Sequence, residues 1–186
     1  MRLARWDGRL VVAGGSEGGA IAAEVARAYP RSVAVVSLAG GGLRQADELR
    51  ILEQRARATE DAPRRLALLD AELDRIRSAP ASDRTWRGSA NTYRWWASYL
   101  DYAPIDDLAA LTVPVYVAHG ARDEAVPIES ADAIAERFAR EGKTNLTYRR
   151  YPDLDHSWTD AGGHRRALRV LDDLVGWLRT AVPIAE

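Results

Sequence analysis

The sequence predicts an α/β fold: a parallel sheet of about four strands flanked by helices, with a helical insertion between two of the strands. Three observations carry this. Short β-rich runs end in glycine-rich or polar turns and alternate with stretches of helical spacing. The first strand, helix and strand follow one another closely, as in a parallel βαβ unit. The 60 residues from Leu43 to Tyr102 break the alternation, because their apolar residues recur only at helical spacing.

Taken in order, Arg9–Ala13 is the first strand and ends at Gly14. Residues 14–19 read Gly-Gly-Ser-Glu-Gly-Gly. Ala20–Tyr29 has helical spacing, with Ile21, Val25 and Ala28 expected on the inward face, and Pro30 ends it. Val33–Leu38 is a second buried strand, closed by Gly40-Gly41-Gly42. Within the insertion, Asp47–Ala58 is expected to be helical. Pro63 suits the first turn of a further helix, whose Leu66, Leu69, Leu73 and Ile76 share one face. Asn91–Leu100 carries Tyr93, Trp95, Trp96 and Tyr99. The alternation then resumes with strand Val113–Ala118 and a turn, His119-Gly120-Ala121-Arg122-Asp123. Helix Ile128–Glu141 should turn Ala131, Ile134, Ala135 and Phe138 inward and stop at Gly142. Strand Leu146–Tyr151 and a loop, Pro152–Gly163, containing His156 lead to a closing helix, His164–Thr180. That helix has Leu168, Leu171, Leu174, Val175 and Leu178 on one side. This reading divides the chain into an α/β core, 1–42 and 103–186, and an insertion, 43–102.

Composition narrows the chemistry. At 186 residues, 47% hydrophobic and 28% charged, the chain is an ordinary globular domain or a large piece of one, not a coiled coil or a disordered tail. Its 27 acidic and 26 basic residues nearly cancel and form no block of like charge, so nucleic-acid binding is not expected. The absence of cysteine excludes disulfides, thiol catalysis and cysteine-ligated metals, and the three histidines have no H-E-x-x-H spacing. Neither a metal nor another cofactor is therefore expected. No apolar run reaches the roughly 18 residues of a membrane span, and Met1–Leu10 is too charged for a signal peptide, which points to the cytoplasm.

The chemistry-bearing motif is Gly14-Gly15-Ser16-Glu17-Gly18, a G-x-S-x-G match that follows a strand and opens a helix. Such a turn is so tight that its neighbours touch the backbone, where only glycine fits, and it lifts the serine hydroxyl above the sheet. A phosphate-binding reading fails, because the spacing is not G-x-G-x-x-G and no Lys-Ser/Thr pair follows. A serine nucleophile needs a base, and the base needs an orienting acid. Asp123 and His156 each lie just past a strand, 33 residues apart, and strand ends of a parallel sheet share one edge. His119 as base, Glu124 as acid, and Asp153 or Asp155 beside His156 are the rival assignments. A structural role suits His119 better, solvated loop positions suit Asp153 and Asp155, and His164 reads as a surface residue.

Gly-Gly-Ser-Glu-Gly-Gly at 14–19, Val-Pro-Val-Tyr-Val-Ala-His-Gly-Ala-Arg-Asp-Glu-Ala-Val-Pro at 113–127 and Tyr-Pro-Asp-Leu-Asp-His at 151–156 together resemble the catalytic C-terminal half of an α/β-hydrolase-fold serine hydrolase. The Gly-Gly-Ser-x-Gly-Gly and His-Gly-x-x-Asp-x-x-Val-Pro forms are similar to its prolyl-oligopeptidase-like and dienelactone-hydrolase-like branches. The resemblance implies Ser16 as nucleophile, His156 as general base, Asp123 as its partner and the Glu17 backbone N–H as an oxyanion donor. It implies an ester, thioester or peptide substrate cleaved through an acyl-enzyme. The insertion takes the place of a lid, with Trp95, Trp96 and Tyr99 as candidate pocket residues. A helical-hairpin core is the alternative for its aromatic cluster, which also includes Trp86 and Tyr93.

Only Met1–Gly15 precede Ser16, so the strands that come before the nucleophile in that family, and the loop giving its second oxyanion donor, have no counterpart here. Leu10–Ala13 would then form an apolar sheet edge. Truncation is the favoured account, with a homodimer paired through that edge, or a non-catalytic fragment, as the alternatives.

Overall fold

The structure, a computed structural model, describes residues 8–55, 61–86 and 90–182. Of the expectations above, the charged start at 1–7 and the last residues of the Asp47–Ala58 helix, 56–58, lie outside the described residues. The chain divides into two compact units: Met1–Gly42 with Pro104–Glu186, and Leu43–Ala103.

The first unit is built on strands β1 (Leu10–Gly15), β2 (Ser32–Leu38), β3 (Val115–Gly120) and β4 (Leu146–Tyr151), hydrogen-bonded in that order. All three pairings are parallel. The central β3 is buried along its whole length, whereas β1 is largely exposed. Helices α1 (Glu17–Ala28), α5 (Pro104–Ala110) and α6 (Ile128–Arg140) cover one face of the sheet. There Ala22, Ala23, Ala26, Leu108, Ile134 and Phe138 pack on Val35, Val115 and Val117. Helix α7 (Ala167–Ala181) covers the other face, where Val170 and Leu174 meet Val36, Tyr116 and Ala118. The neighbours Val35 and Val36, and Tyr116 and Val117, thus serve opposite cores, as the two-residue repeat of a strand requires. Each large apolar side chain buried this way contributes roughly 1.5–3 kcal/mol.

Four expectations need correction. Helix α1 begins at Glu17 rather than Ala20, and its buried face is Gly19, Ala20, Ala22, Ala23 and Ala26. Ile21, Val25 and Ala28 are exposed instead, because the helix lies so close to the sheet that only small residues fit beneath it. On α7, which starts at Ala167 rather than His164, Leu168, Leu171 and Val175 face solvent while Val170 and Leu174 are buried. The third strand runs two residues later than expected, so His119 and Gly120 belong to β3 and not to the turn. Helix α5, opened by Pro104, was not anticipated; at seven residues it is too short for its periodicity to stand out.

The second unit holds α2 (Gln45–Arg55), α3 (Ala62–Ser78) and α4 (Tyr93–Tyr99). Leu69, Leu73, Ile76, Trp86, Tyr93 and Leu100 form its core. Thr92 caps α4 by accepting from the Trp95 amide. Arg77 and Asp101 join the end of α3 to the segment after α4 through two hydrogen bonds of 2.9 and 2.6 Å. No helix among the described residues is long and apolar enough to cross a membrane.

Candidate active site

Ser16 stands between β1 and α1 with φ 54° and ψ −127°. A non-glycine residue rarely adopts this region, and holding it there costs on the order of 1–3 kcal/mol. The surrounding contacts enforce it. The Ser16 amide donates to Leu38 O on β2 at 2.8 Å, and its carbonyl accepts from the Gly19 and Ala20 amides at 2.9 and 3.2 Å. A side chain at Gly14 would put its Cβ 2.0 Å from the Gly18 carbonyl oxygen, so the turn closes only with glycine there. Ser16 is left exposed. Glu17 is the first residue of α1, where a backbone N–H has no intrahelical acceptor and remains free to bind an anion.

Asp123 and His156 come from the ends of β3 and β4. The two ends are drawn together by Ala121 N donating to Tyr151 O at 2.8 Å and Arg122 N donating to Leu154 O at 2.9 Å. Gly120 permits this approach, because a Cβ there would sit 2.4 Å from the Leu154 carbonyl oxygen. Beyond β4 the loop is anchored by the fully buried Leu154. It is shaped by Asp155, whose Oδ1 accepts from the Ser157 and Thr159 amides at 2.9 and 2.8 Å. Asp155 is therefore a structural brace of the His156 loop and not the solvated carboxylate expected. Its place two and four residues before those amides is the turn-forming pattern that could have revealed it.

Three sequence-selected residues meet in one hydrogen-bonded chain. His156 Nε2 is 3.0 Å from Ser16 Oγ, and His156 Nδ1 is 2.8 Å from Asp123 Oδ2. A carboxylate only accepts, so the neutral ring carries its proton on Nδ1 and offers Nε2 as acceptor to the serine hydroxyl. The Asp123 side chain is fully buried. Its Oδ1 accepts from the amides of Ala125 and Val126, both at 2.8 Å. Burial alone would raise its pKa. Hydrogen bonds from His119, His156 and those two amides outweigh burial and hold the carboxyl well below the usual carboxylate range. The hydrogen bond to Asp123 in turn raises the His156 pKa against the opposing effect of burial, with the Asp123 and Asp155 charges adding to the rise.

The rival residues fall elsewhere. Glu124 is exposed while its neighbour Asp123 reaches the imidazole. His119 is completely buried, with Nε2 3.0 Å from Val126 O and 3.3 Å from Asp123 Oδ2. Asp153 pairs with Arg169 at 3.0 Å. His164 lies before α7 with an exposed side chain, its Nδ1 3.2 Å from Asp160 Oδ1. Trp95, Trp96 and Tyr99 belong to the helical unit. Trp96 meets the edge of Trp86 at a centroid distance of 4.7 Å, and Trp95 meets Trp96 at 4.8 Å and Tyr99 at 5.1 Å. Trp86 and Tyr93 are core residues of that unit. Among the described residues, no group of three or more acidic or histidine side chains could hold a metal ion.

A strand–turn–helix serine on a parallel sheet, linked through a histidine to a buried aspartate, defines a class of fold and site. Residues 3–171 match the alpha/beta hydrolase family, and the chain belongs to that family. A probable carboxylic ester hydrolase of Mycobacterium tuberculosis, LipM, is 30% identical over 70 residues, covering 38% of this chain and 16% of that protein. Among solved structures, the acylaminoacyl peptidase of Pyrococcus horikoshii superposes with a TM-score of 0.56 at 12% identity, over 96% of this chain and 25% of its own. Est1E of Butyrivibrio proteoclasticus superposes with a TM-score of 0.58 at 17% identity, over 92% of this chain and 60% of its own. The chain thus spans about a sixth of the curated relative and about a quarter of the peptidase. At these identities the structural likeness speaks for the fold alone.

Proposed function

We propose that this chain carries the catalytic centre of a serine hydrolase that cleaves an ester, thioester or amide through an acyl-enzyme. The observation that carries the reading is the Ser16–His156–Asp123 chain, with links of 3.0 and 2.8 Å. Family membership and the kinship with a probable carboxylic ester hydrolase support it. Ser16 Oγ attacks the substrate carbonyl carbon while its proton passes to His156 Nε2. The tetrahedral oxyanion is stabilised by the Glu17 backbone N–H at the start of α1. Collapse expels the alcohol, thiol or amine with the proton returned from His156, leaving an acyl group on Ser16. Water, deprotonated by the same imidazole, then releases the acid and restores the serine. Asp123 keeps the ring in the Nδ1–H tautomer and stabilises the imidazolium.

The test is covalent labelling with a fluorophosphonate, read by intact mass and peptide mapping. Wild-type protein should take one label at Ser16, and Ser16→Ala none. Folded wild-type protein that stays unlabelled, or a Ser16→Ala variant labelled equally, would refute the reading.

A second reading concerns the edge of the sheet. Among the described residues, seven of the eight large apolar residues that are exposed lie on β1, α1 and α7: Leu10, Val11, Ile21, Val25, Leu168, Leu171 and Val175. Strand β1 is an edge strand, paired among the described residues only with β2, and Leu10 and Val11 on it and Ile21 and Val25 on the adjacent α1 are exposed, which suits pairing with a second copy about a two-fold axis. Sedimentation should then show a dimer that Val11→Lys dissociates; a wild-type monomer at high concentration contradicts it.

A further inference from the structure

We infer that His119 is a positioning residue of this site: its Nε2–H holds the Asp123 carboxylate and the Val126 carbonyl together, so that Oδ2 is shared between two imidazoles. The inference rests on the reading of Ser16, His156 and Asp123 as one proton relay.

The argument begins with the ring's partners. His119 is completely buried near the end of β3, and the Asp123 side chain four residues on is equally buried. A carbonyl oxygen only accepts, so the 3.0 Å contact with Val126 O requires the ring proton on Nε2. That same N–H faces Asp123 Oδ2 at 3.3 Å. Nδ1 is buried and has no hydrogen-bond partner among the described residues. An unmet buried polar atom costs on the order of 1–3 kcal/mol, so a residue needed only for packing would be better served by Phe or Leu. What histidine adds here is a donor on Nε2.

The geometry shows what that donor does. The two carboxylate oxygens have separate tasks: Oδ1 takes the Ala125 and Val126 amides, both at 2.8 Å, and Oδ2 takes His156 at 2.8 Å. Val126 is held at both its amide, by Oδ1, and its carbonyl, by His119. The carboxylate therefore cannot turn about its Cβ–Cγ bond without breaking contacts on both oxygens. His119 also draws charge from the very oxygen that His156 uses. The charged groups facing His156 are Asp123, from beyond β3, and Asp155, on its own loop; both favour the imidazolium. Without the donor at position 119, Oδ2 would act on His156 with more of its charge. The imidazole would be more basic and, at neutral pH, less often in the form that accepts the serine proton.

The first experiment needs no variant: nitrogen-15 NMR of the histidine-labelled wild-type protein should find His119 as the Nε2–H tautomer with a slowly exchanging proton. An Nδ1–H tautomer overturns the proposal. Next, His119→Phe should move the His156 titration midpoint upward by about half a unit or more. Fluorophosphonate labelling at neutral pH should slow up to about threefold, the fall in unprotonated imidazole that a half-unit rise gives. His119→Gln, whose amide N–H reaches to a similar place, should return both toward wild type. An unmoved or lowered His156 midpoint in folded His119→Phe overturns the proposal. If that variant does not fold, the wild-type tautomer and a His119→Gln midpoint away from wild type decide it. Failure of the hydrolase reading is seen separately, as absence of label on wild-type Ser16, whereas tautomer and titration report on His119 regardless.

Discussion

Replacing Asp123 by Asn removes one charge and almost no volume, and the structure says which way the new amide must sit. Two backbone N–H groups, from Ala125 and Val126, point at the Oδ1 site from 2.8 Å each, so the amide oxygen has to occupy it. The NH2 group is then forced into the Oδ2 site, 2.8 Å from His156 Nδ1 and 3.3 Å from His119 Nε2. Donor would face donor. His156 escapes by moving its proton from Nδ1 to Nε2, where it points at Ser16 Oγ and leaves the serine without a base. A tautomer inverted in this way costs about 10⁴-fold in rate, or about 5 kcal/mol of transition-state stabilisation. Asp123→Ala should be equally inactive and also less stable, because the Ala125 and Val126 amides, both partly buried, lose their acceptor at about 1 kcal/mol each. The assay is the second-order rate of fluorophosphonate labelling of Ser16 at mildly alkaline pH, with thermal melting recorded beside it. An Asn variant that keeps more than about a tenth of the wild-type rate would refute the tautomer argument and the role given to Asp123.

Four further outcomes follow from the same contacts. The Asp123 hydrogen bond raises the His156 pKa above its ordinary 6.5, so labelling should rise with pH and reach half its maximum above that value; a midpoint at or below it contradicts the pairing. The sign for stability is the reverse of that for activity: the His156–Asp123 interaction supports the fold fully below the ordinary imidazole pKa and is lost as pH rises through the raised one. Gly120→Ala would place a Cβ 2.4 Å from the Leu154 carbonyl oxygen and push the His156 loop away from Asp123. Labelling should fall by about 10²-fold while the far-ultraviolet circular dichroism is kept, and an unchanged rate would show that the loop tolerates the displacement. Ser16→Gly releases a residue held at φ 54° and should abolish labelling while raising the melting temperature, by about 1 kcal/mol of relieved strain; a lowered melting temperature would mean that the serine side chain stabilises its own turn.

The sequence by itself determined what short-range sterics and periodicity control. The tight turn at Ser16 was legible from the Gly14-x-Ser16-x-Gly18 spacing, although of these two glycines only Gly14 stands where the backbone comes too close for a Cβ and Gly18 faces open space; β4 was legible because Leu146–Tyr151 is bounded by a polar turn and a proline. Ser16, Asp123 and His156 could be selected because a parallel sheet brings its strand ends to one edge. Only the tertiary structure decided which face of a helix is covered. Apolar residues at helical spacing sit on opposite sides of α1 and α7 in comparable number, and the buried side is chosen by the fit to what lies beneath: Val12 and Val35 on the sheet under the small residues of α1, the aromatic Tyr116 and Tyr151 under α7. Only the tertiary structure, too, brought His119 to Asp123, fitted Leu154 against Gly120 and made Asp155 a brace. Those contacts join strand ends to loops, and a hydrogen bond between them depends on distances that no local pattern of residues records.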